Sequence, residues 1–257
     1  MSKLMLVLDA GNTNVVAGCW DGDRLACSWR LRTIDGQTID EFTLSLAGLF
    51  QRDGLSPRDV QSACLACVVP PLTDTLRRGV ELLCGVDPLV VRPGIKTGMK
   101  LLVDHPEEVG ADRIVNSVAA FERVRSAAIV VDFGTATTFD CVSPTGDFMG
   151  GVFCPGLGIS AEALFERAAR LPRVEIAKPA RVIGRSTVAC MQSGLYYGYV
   201  GLVDGILERL LDEMPERPRI LATGGLAELI CGGSRHVEEV VPDLTLEGLR
   251  LLRQRNT

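Results

Sequence analysis

The chain has 257 residues, 47% hydrophobic and 23% charged, enough apolar material for a large core shared by two lobes of roughly 100–150 residues. A net charge of −5 and the lack of any lysine or arginine run exclude the electrostatic footprint of a nucleic-acid-binding protein. The N-terminal apolar run reaches Asp9 too soon for a signal-peptide core or a membrane span, and nine cysteines scattered through apolar segments suit reduced thiols, so a cytoplasmic location is expected.

In chain order, "LMLVLD", "NVVAGCW" and "RLACSWRL" read as three strands, joined by a turn through Gly11 and a hairpin at Asp21-Gly22. Ile39, Phe42, Leu46, Leu49 and Phe50 recur at helical spacing, which predicts a helix over about Thr38–Gln51, stopped by Gly54. A strand "CLACVV", a helix from Pro71 to about Leu83 and a strand "PLVV" follow. Cys64 and Cys67 have the spacing of a zinc or redox pair. A strand points residues i and i+3 to opposite faces, however, and only His105 and His236 could add imidazole ligands, so the pair reads as core.

A helix near residues 114–126 forms the crossover, after which the order begins again: "AAIVVD", "TTFDCVS", a "PTGD" turn, "FMGGVF" and a helix at about Ile159–Ala169. The offset from Asp9 to Asp132 is 123 residues. A long helix from about Ser186 to Glu213, a strand "RILAT", the turn "GGLAELI" and a closing helix in "TLEGLRLLRQR" complete the chain. The pattern predicts a duplicated α/β unit, with lobes at 1–116 and 117–257.

Each repeat opens with an apolar strand ending in Asp-x-Gly followed by hydroxyl or amide side chains: "LVLDAGNTNVV" and "IVVDFGTATTF". Such a turn puts a carboxylate at the mouth of a sheet and converges backbone N–H groups on one spot, which suits phosphate oxygens. The adjacent Asp can hold Mg²⁺, because a hard cation takes oxygen ligands and bridges to nucleotide phosphates. One such turn is an ordinary Asp cap; two copies at the starts of matching halves point to a shared cleft. A third turn, "ATGGLA" at 222–227, places Gly224 and Gly225 between a strand and a helix, where a nucleotide can lie close to backbone.

Together with "PGIKTG", "EEVGADRIVN", "PGLGISAEALFERAARLP" and "MQSGLYYGYVGLVDG", the segments "DAGNTN" and "DFGTATTFD" resemble type III pantothenate kinases. These belong to the ASKHA superfamily of acetate and sugar kinases, heat-shock cognate ATPases and actin. The resemblance implies duplicated ribonuclease H-like domains with a cleft between them. It also implies ATP-dependent phosphorylation of pantothenate, the first step towards coenzyme A, with Mg²⁺ and a monovalent cation (K⁺ or NH₄⁺) in a homodimer. On this resemblance Asp112 is the proton acceptor, and Gly110, Ala111, Asp112 and Arg113 are the substrate segment, with Arg113 facing the substrate carboxylate. Asp9, Ala10, Gly11, Asn12, Thr13, Asn14, Val15 and Val16 form the first ATP segment, in which Asp9 positions Mg²⁺. Asp132 binds the monovalent cation, Thr135 a phosphate, Gly224 and Gly225 the nucleotide, and Thr187 the substrate.

One position departs from the pattern. Many family members carry a tyrosine seven residues before the "GADR" glycine, where this chain has Val103. The alternative function is a non-catalytic nucleotide-binding regulator on the same scaffold; retention of Asp9, Asp112 and Asp132 together argues against it. All three tyrosines cluster in the long helix, whose apolar residues spread over several faces. With the implied homodimer, this predicts that the helix pairs with its symmetry mate, the tyrosines lying at the contact.

Overall fold

The computed structural model describes residues 3–168 and 170–257. Five strands and three helices come first: β1 (Leu4–Ala10), β2 (Asn14–Asp21), β3 (Arg24–Arg32), α1 (Ile39–Arg52), β4 (Val60–Cys67), α2 (Pro70–Cys84), β5 (Leu89–Val90) and α3 (Ala111–Val124). The strands pair in the order β3-β2-β1-β4-β5, with β1–β2–β3 antiparallel and β1, β4 and β5 parallel. Helix α1 starts where Thr38 and Glu41 cap each other's backbone N–H groups reciprocally.

The second set is β6 (Ala128–Phe133), β7 (Ala136–Val142), β8 (Phe148–Pro155), α4 (Leu157–Arg167), α5 (Thr187–Glu213), β9 (Arg219–Gly224), α6 (Ala227–Cys231), β10 (Glu239–Val240) and α7 (Leu244–Arg255). Its sheet order, β10-β9-β6-β7-β8, reproduces the first when β6 is matched to β1. The correspondence extends to irregularities. The β2–β3 ladder shifts register after Cys19, ten residues past Asp9, and the β7–β8 ladder after Cys141, nine past Asp132. The missing residue is in the turn: three residues separate β1 from β2, two separate β6 from β7. Ala169, the expected last residue of the α4 helix, lies outside the described residues.

Alternation along β1 sorts its side chains onto two faces. Leu4, Leu6, Leu8 and Ala10 pack with Phe42, Leu46 and Phe50 of α1 and Leu72, Leu76 and Val80 of α2. Val7, on the other face, packs with Val115 and Val118 of α3 and Leu246, Leu249 and Leu252 of α7. In the second sheet Ile129, Val131 and Phe133 lie beneath α4, α5 and α6.

The division of the chain differs from lobes at 1–116 and 117–257. One unit comprises the chain up to Met99 with Asp104–Ala119 and Leu244–Thr257; the other comprises Lys100–Val103 and Ala120–Asp243. Helix α7 packs on β1, β2 and β4 because its leucines cover a sheet face that α3 alone leaves open. Residues 100–103 go the other way: Phe148 N–H donates to the Lys100 carbonyl (2.9 Å) and Leu102 N–H to the Phe148 carbonyl (2.8 Å). Neither exchange is local in sequence, so periodicity carries no trace of it.

Candidate active site

The Asp9 turn is built from the end of β1. Gly11 N–H folds onto the Asn14 carbonyl (2.9 Å). Thr33, just beyond β3, braces the turn from outside: its hydroxyl donates to the Gly11 carbonyl (2.6 Å) and its N–H to the Thr13 carbonyl (3.0 Å). Ala10 and Val15 are buried anchors, Val16 is half-buried, and Asn12 and Thr13 are exposed. Asp9 falls on the Met5–Val7 face of β1, the face covered by α3.

Helix α3 opens with the segment Gly110–Arg113. Its first turn holds Asp112, whose Oδ1 accepts the Arg113 N–H at 2.9 Å. A Cβ on Gly110 would stand 2.5 Å from that same oxygen, so only glycine leaves the carboxylate its place. Burial pushes the Asp112 carboxyl above the usual aspartate range, against the opposing pull of the Arg113 N–H and guanidinium. Ala111 and Ile114 pack into the cluster containing Val7, so Asp9 and Asp112 belong to elements packed on one sheet face within one unit.

In the second unit the carboxyl ends of β6 and β9 carry the other candidates, as is usual for ligand sites in α/β sheets. Gly134 N–H donates to the Ala136 carbonyl (3.1 Å), the shortened counterpart of the Gly11 bond. Asp132 pairs with Thr138 on β7 and Thr223 on β9. Gly224, at φ +95°, lies so close that a Cβ there would be 2.7 Å from Asp132 Oδ1 and from Phe133 backbone. Gly156, the N-cap of α4, sits against the Gly134 and Thr135 carbonyls. Asp132, Thr135 and Gly224 are therefore brought together, with Gly225 next in the same turn.

A model of the type III pantothenate kinase family matches residues 5–209. The chain belongs to the type III pantothenate kinase family. A type III pantothenate kinase of Anaeromyxobacter sp. (strain Fw109-5) is 54% identical over 253 residues, covering 98% of this chain and all of the relative. A Campylobacter jejuni protein described as a Baf family transcriptional activator superposes with a TM-score of 0.60 at 18% identity, over 98% of both chains. A ROK family glucokinase of Streptomyces griseus, in complex with glucose and AMPPNP, gives 0.58 at 13%, over 98% of this chain and 99% of its own. Likeness at such identities shows the fold alone, here that of the actin-like ATPases.

Two residues expected from the sequence to meet the substrate fall in the second unit, whereas Asp112 falls in the first. Val103 belongs to the second unit, 3.7 Å from where a Gly150 Cβ would be. Thr187, also in the second unit, is exposed as the first residue of α5, behind the N-cap Ser186, whose hydroxyl accepts the Ala189 N–H (3.2 Å). Sequence reasoning passed over Thr33 and Asp140. Asp140 is fully buried on the Asp132 face of its sheet and accepts from the Thr138 hydroxyl (3.3 Å); an acid at an inward position of an alternating strand was its only signal.

The expectation of a subunit contact is corrected for two of the three tyrosines, Tyr197 being half-buried. Tyr196 and Tyr199 are 1% and 5% exposed within the single chain. The Tyr199 hydroxyl lies 2.5 Å from Thr137 Oγ1 and 2.9 Å from the Pro155 carbonyl, so this residue joins α5 to β7 and β8. The cysteine pair divides as a strand requires: Cys64 packs with α3 and α7 and Cys67 on the α1–α2 side. Among the described residues no group of three or more His, Cys, Asp or Glu is placed to hold a metal, and no helix is long and apolar enough to cross a membrane.

Proposed function

We propose that this chain transfers the γ-phosphoryl group of ATP to the primary hydroxyl of pantothenate, releasing ADP and 4′-phosphopantothenate. The observation that carries this reading is the match to type III pantothenate kinases over 98% of the chain. Asp112 takes the hydroxyl proton as the oxygen–phosphorus bond forms; burial brings its basicity closer to working pH than that of a solvated carboxylate. Arg113 faces the pantothenate carboxylate, with Gly110, Ala111, Val103 and Thr187 around the substrate. Asn12, Thr13, Asn14 and Thr135 receive phosphate oxygens, and Gly224 and Gly225 the nucleoside.

Asp9 and Asp132 fit hard cations, each being a carboxylate at the carboxyl end of a strand beside a turn of converging backbone groups. Asp9 would hold Mg²⁺ and Asp132 a monovalent cation such as K⁺ or NH₄⁺. These ions supply offset for the phosphate charge. With Val in place of the family's tyrosine, Val103 offers only apolar contact, so the hydroxyl contact is either missing or supplied by another residue, and the base is untouched.

The chain acts as a homodimer in the cytoplasm on this reading. Gly194, Gly198 and Gly201 of α5 are exposed on one face, with open space where a Cβ would stand. Each interior glycine costs a helix about 1 kcal/mol relative to alanine, a cost that close approach of a second backbone would offset. Gly198→Arg is expected to shift sedimentation to monomer; an unchanged dimer refutes this contact. The function itself is tested by a coupled assay with ATP, Mg²⁺ and K⁺. Turnover of pantothenate no faster than that of a panel of small alcohols and sugars would refute it.

A further inference from the structure

We propose that a cavity at the outer edge of the first sheet binds a phosphate monoester with an apolar body. The cavity measures about 530 Å³, within the range of small-molecule sites, and none of the residues assigned above lines it. It is lined by the apolar residues Leu89, Val90 and Ile95, by three arginines, Arg77, Arg92 and Arg253, and by one acid, Asp87.

The charges there are not balanced. Arg77 is committed to carboxylates, 2.8 Å from Asp87 and 3.5 Å from both Asp74 and Glu81. The Arg92 side chain is exposed and, among the described residues, has no ion pair or hydrogen bond; only its backbone carbonyl is engaged, by the Ile95 N–H (3.4 Å). Among the described residues Arg253 has no carboxylate partner: its Nη1 donates to the Asn256 carbonyl (3.1 Å), and its Nε is buried with no acceptor. Two arginines without a carboxylate partner among the described residues thus line one hollow, and beneath its wall the buried Arg253 Nε lacks the acceptor that such groups normally find.

The hollow is also held in shape. The Asn256 side chain donates to the Lys96 carbonyl (2.9 Å) and the Leu252 carbonyl (2.8 Å) and accepts the Lys96 N–H (2.9 Å), fastening the segment after β5 to the end of α7. A phosphate monoester carries about −1.5 to −2 charge at neutral pH and three acceptor oxygens. That matches two guanidinium forks approaching from different elements, where a carboxylate with one charge would satisfy one fork. The apolar remainder of the ligand would cover Leu89, Val90 and Ile95.

The test is a titration of the ¹⁵N-labelled full chain, read at the Arg253 Nε–Hε resonance, with phenyl phosphate, inorganic phosphate and benzoate. Phenyl phosphate should give a saturable shift, with inorganic phosphate and benzoate each weaker by about tenfold or more, the loss expected for a missing apolar contact or a missing charged fork. Arg92→Gln should weaken phenyl phosphate by about tenfold while pantothenate turnover stays at the wild-type rate. Arg253→Lys, which keeps the charge, should retain binding of phenyl phosphate by calorimetry if Arg253→Gln fails to fold. Benzoate binding as tightly as phenyl phosphate, a shift that does not saturate, or full affinity in Arg92→Gln would each overturn the proposal.

Discussion

Gly110 and Asp112 occupy a space that admits only one of two side chains: a Cβ at position 110 would stand 2.5 Å from Asp112 Oδ1. Gly110→Ala is therefore expected to rotate the carboxylate out of its place at the start of α3. The fall in kcat should approach that of removing the base, roughly 10²-fold or more, with little change in nucleotide affinity. Steady-state kinetics beside a nucleotide titration checks this; unchanged kcat would show that the carboxylate has room to adjust.

Asp112→Asn is expected to lower kcat by roughly 10²–10⁴. The sign of its stability effect is the opposite of a simple loss. Because burial raises the folded-state pKa, the folded protein holds the proton more tightly than the unfolded chain, and stability falls as pH rises through that pKa. At neutral pH the uncharged variant should melt at or above the wild-type temperature. The acid limb of the wild-type kcat profile should lie above the usual aspartate range.

Gly224→Ala combines a φ of +95° with a 2.7 Å approach to Asp132 Oδ1. A cost of about 1–3 kcal/mol in unfolding free energy is expected from the backbone conformation alone. Displacement of Asp132 should also flatten the response to exchanging Na⁺ for K⁺ at constant ionic strength, measured as relative kcat. A variant with wild-type stability and the wild-type K⁺ response contradicts both parts.

Asp204 of α5 is 4% exposed and ties down the loop after α6: it accepts the Ser234 hydroxyl (2.6 Å), the Arg235 N–H (3.1 Å) and Arg235 Nε (3.2 Å). Burial alone would raise its pKa, but Ser234 and Arg235 together hold it below the usual range. A depressed folded-state pKa means stability present above the unfolded value and lost as pH falls through the folded one. Asp204→Ala should cost about 1–2 kcal/mol at pH 7 by removing hydrogen bonds to the half-buried Ser234 and the backbone of Arg235, the exposed Arg235 guanidinium turning to water instead, and the difference from wild type should shrink in acid. Urea denaturation at the two pH values reads this out.

Tyr199→Phe removes a hydroxyl that reaches both Thr137 and the Pro155 carbonyl. About 1 kcal/mol of stability should go with it, while the sedimentation coefficient stays that of wild type. Dissociation into monomers would return Tyr199 to the subunit contact.

The amino-acid sequence by itself determined the duplication and the residues at its turns. Period-2 alternation in β1 and β6, Asp-x-Gly at their ends and hairpin signals after them are local properties, and local properties survive without a structure. So did the start of α5, because Ser186 caps within one turn. The tertiary structure alone decided which residues support those turns. Thr33 reaches Gly11 across 22 residues, Gly224 meets Asp132 through a parallel ladder, and α7 closes a sheet that began at Leu4. The same holds for α5. Its apolar residues run round the helix, so the pattern along the chain could not tell a side covered by β7 and β8 from one left open. Only packing placed Tyr199 beneath the helix and left Gly194, Gly198 and Gly201 on its outer face.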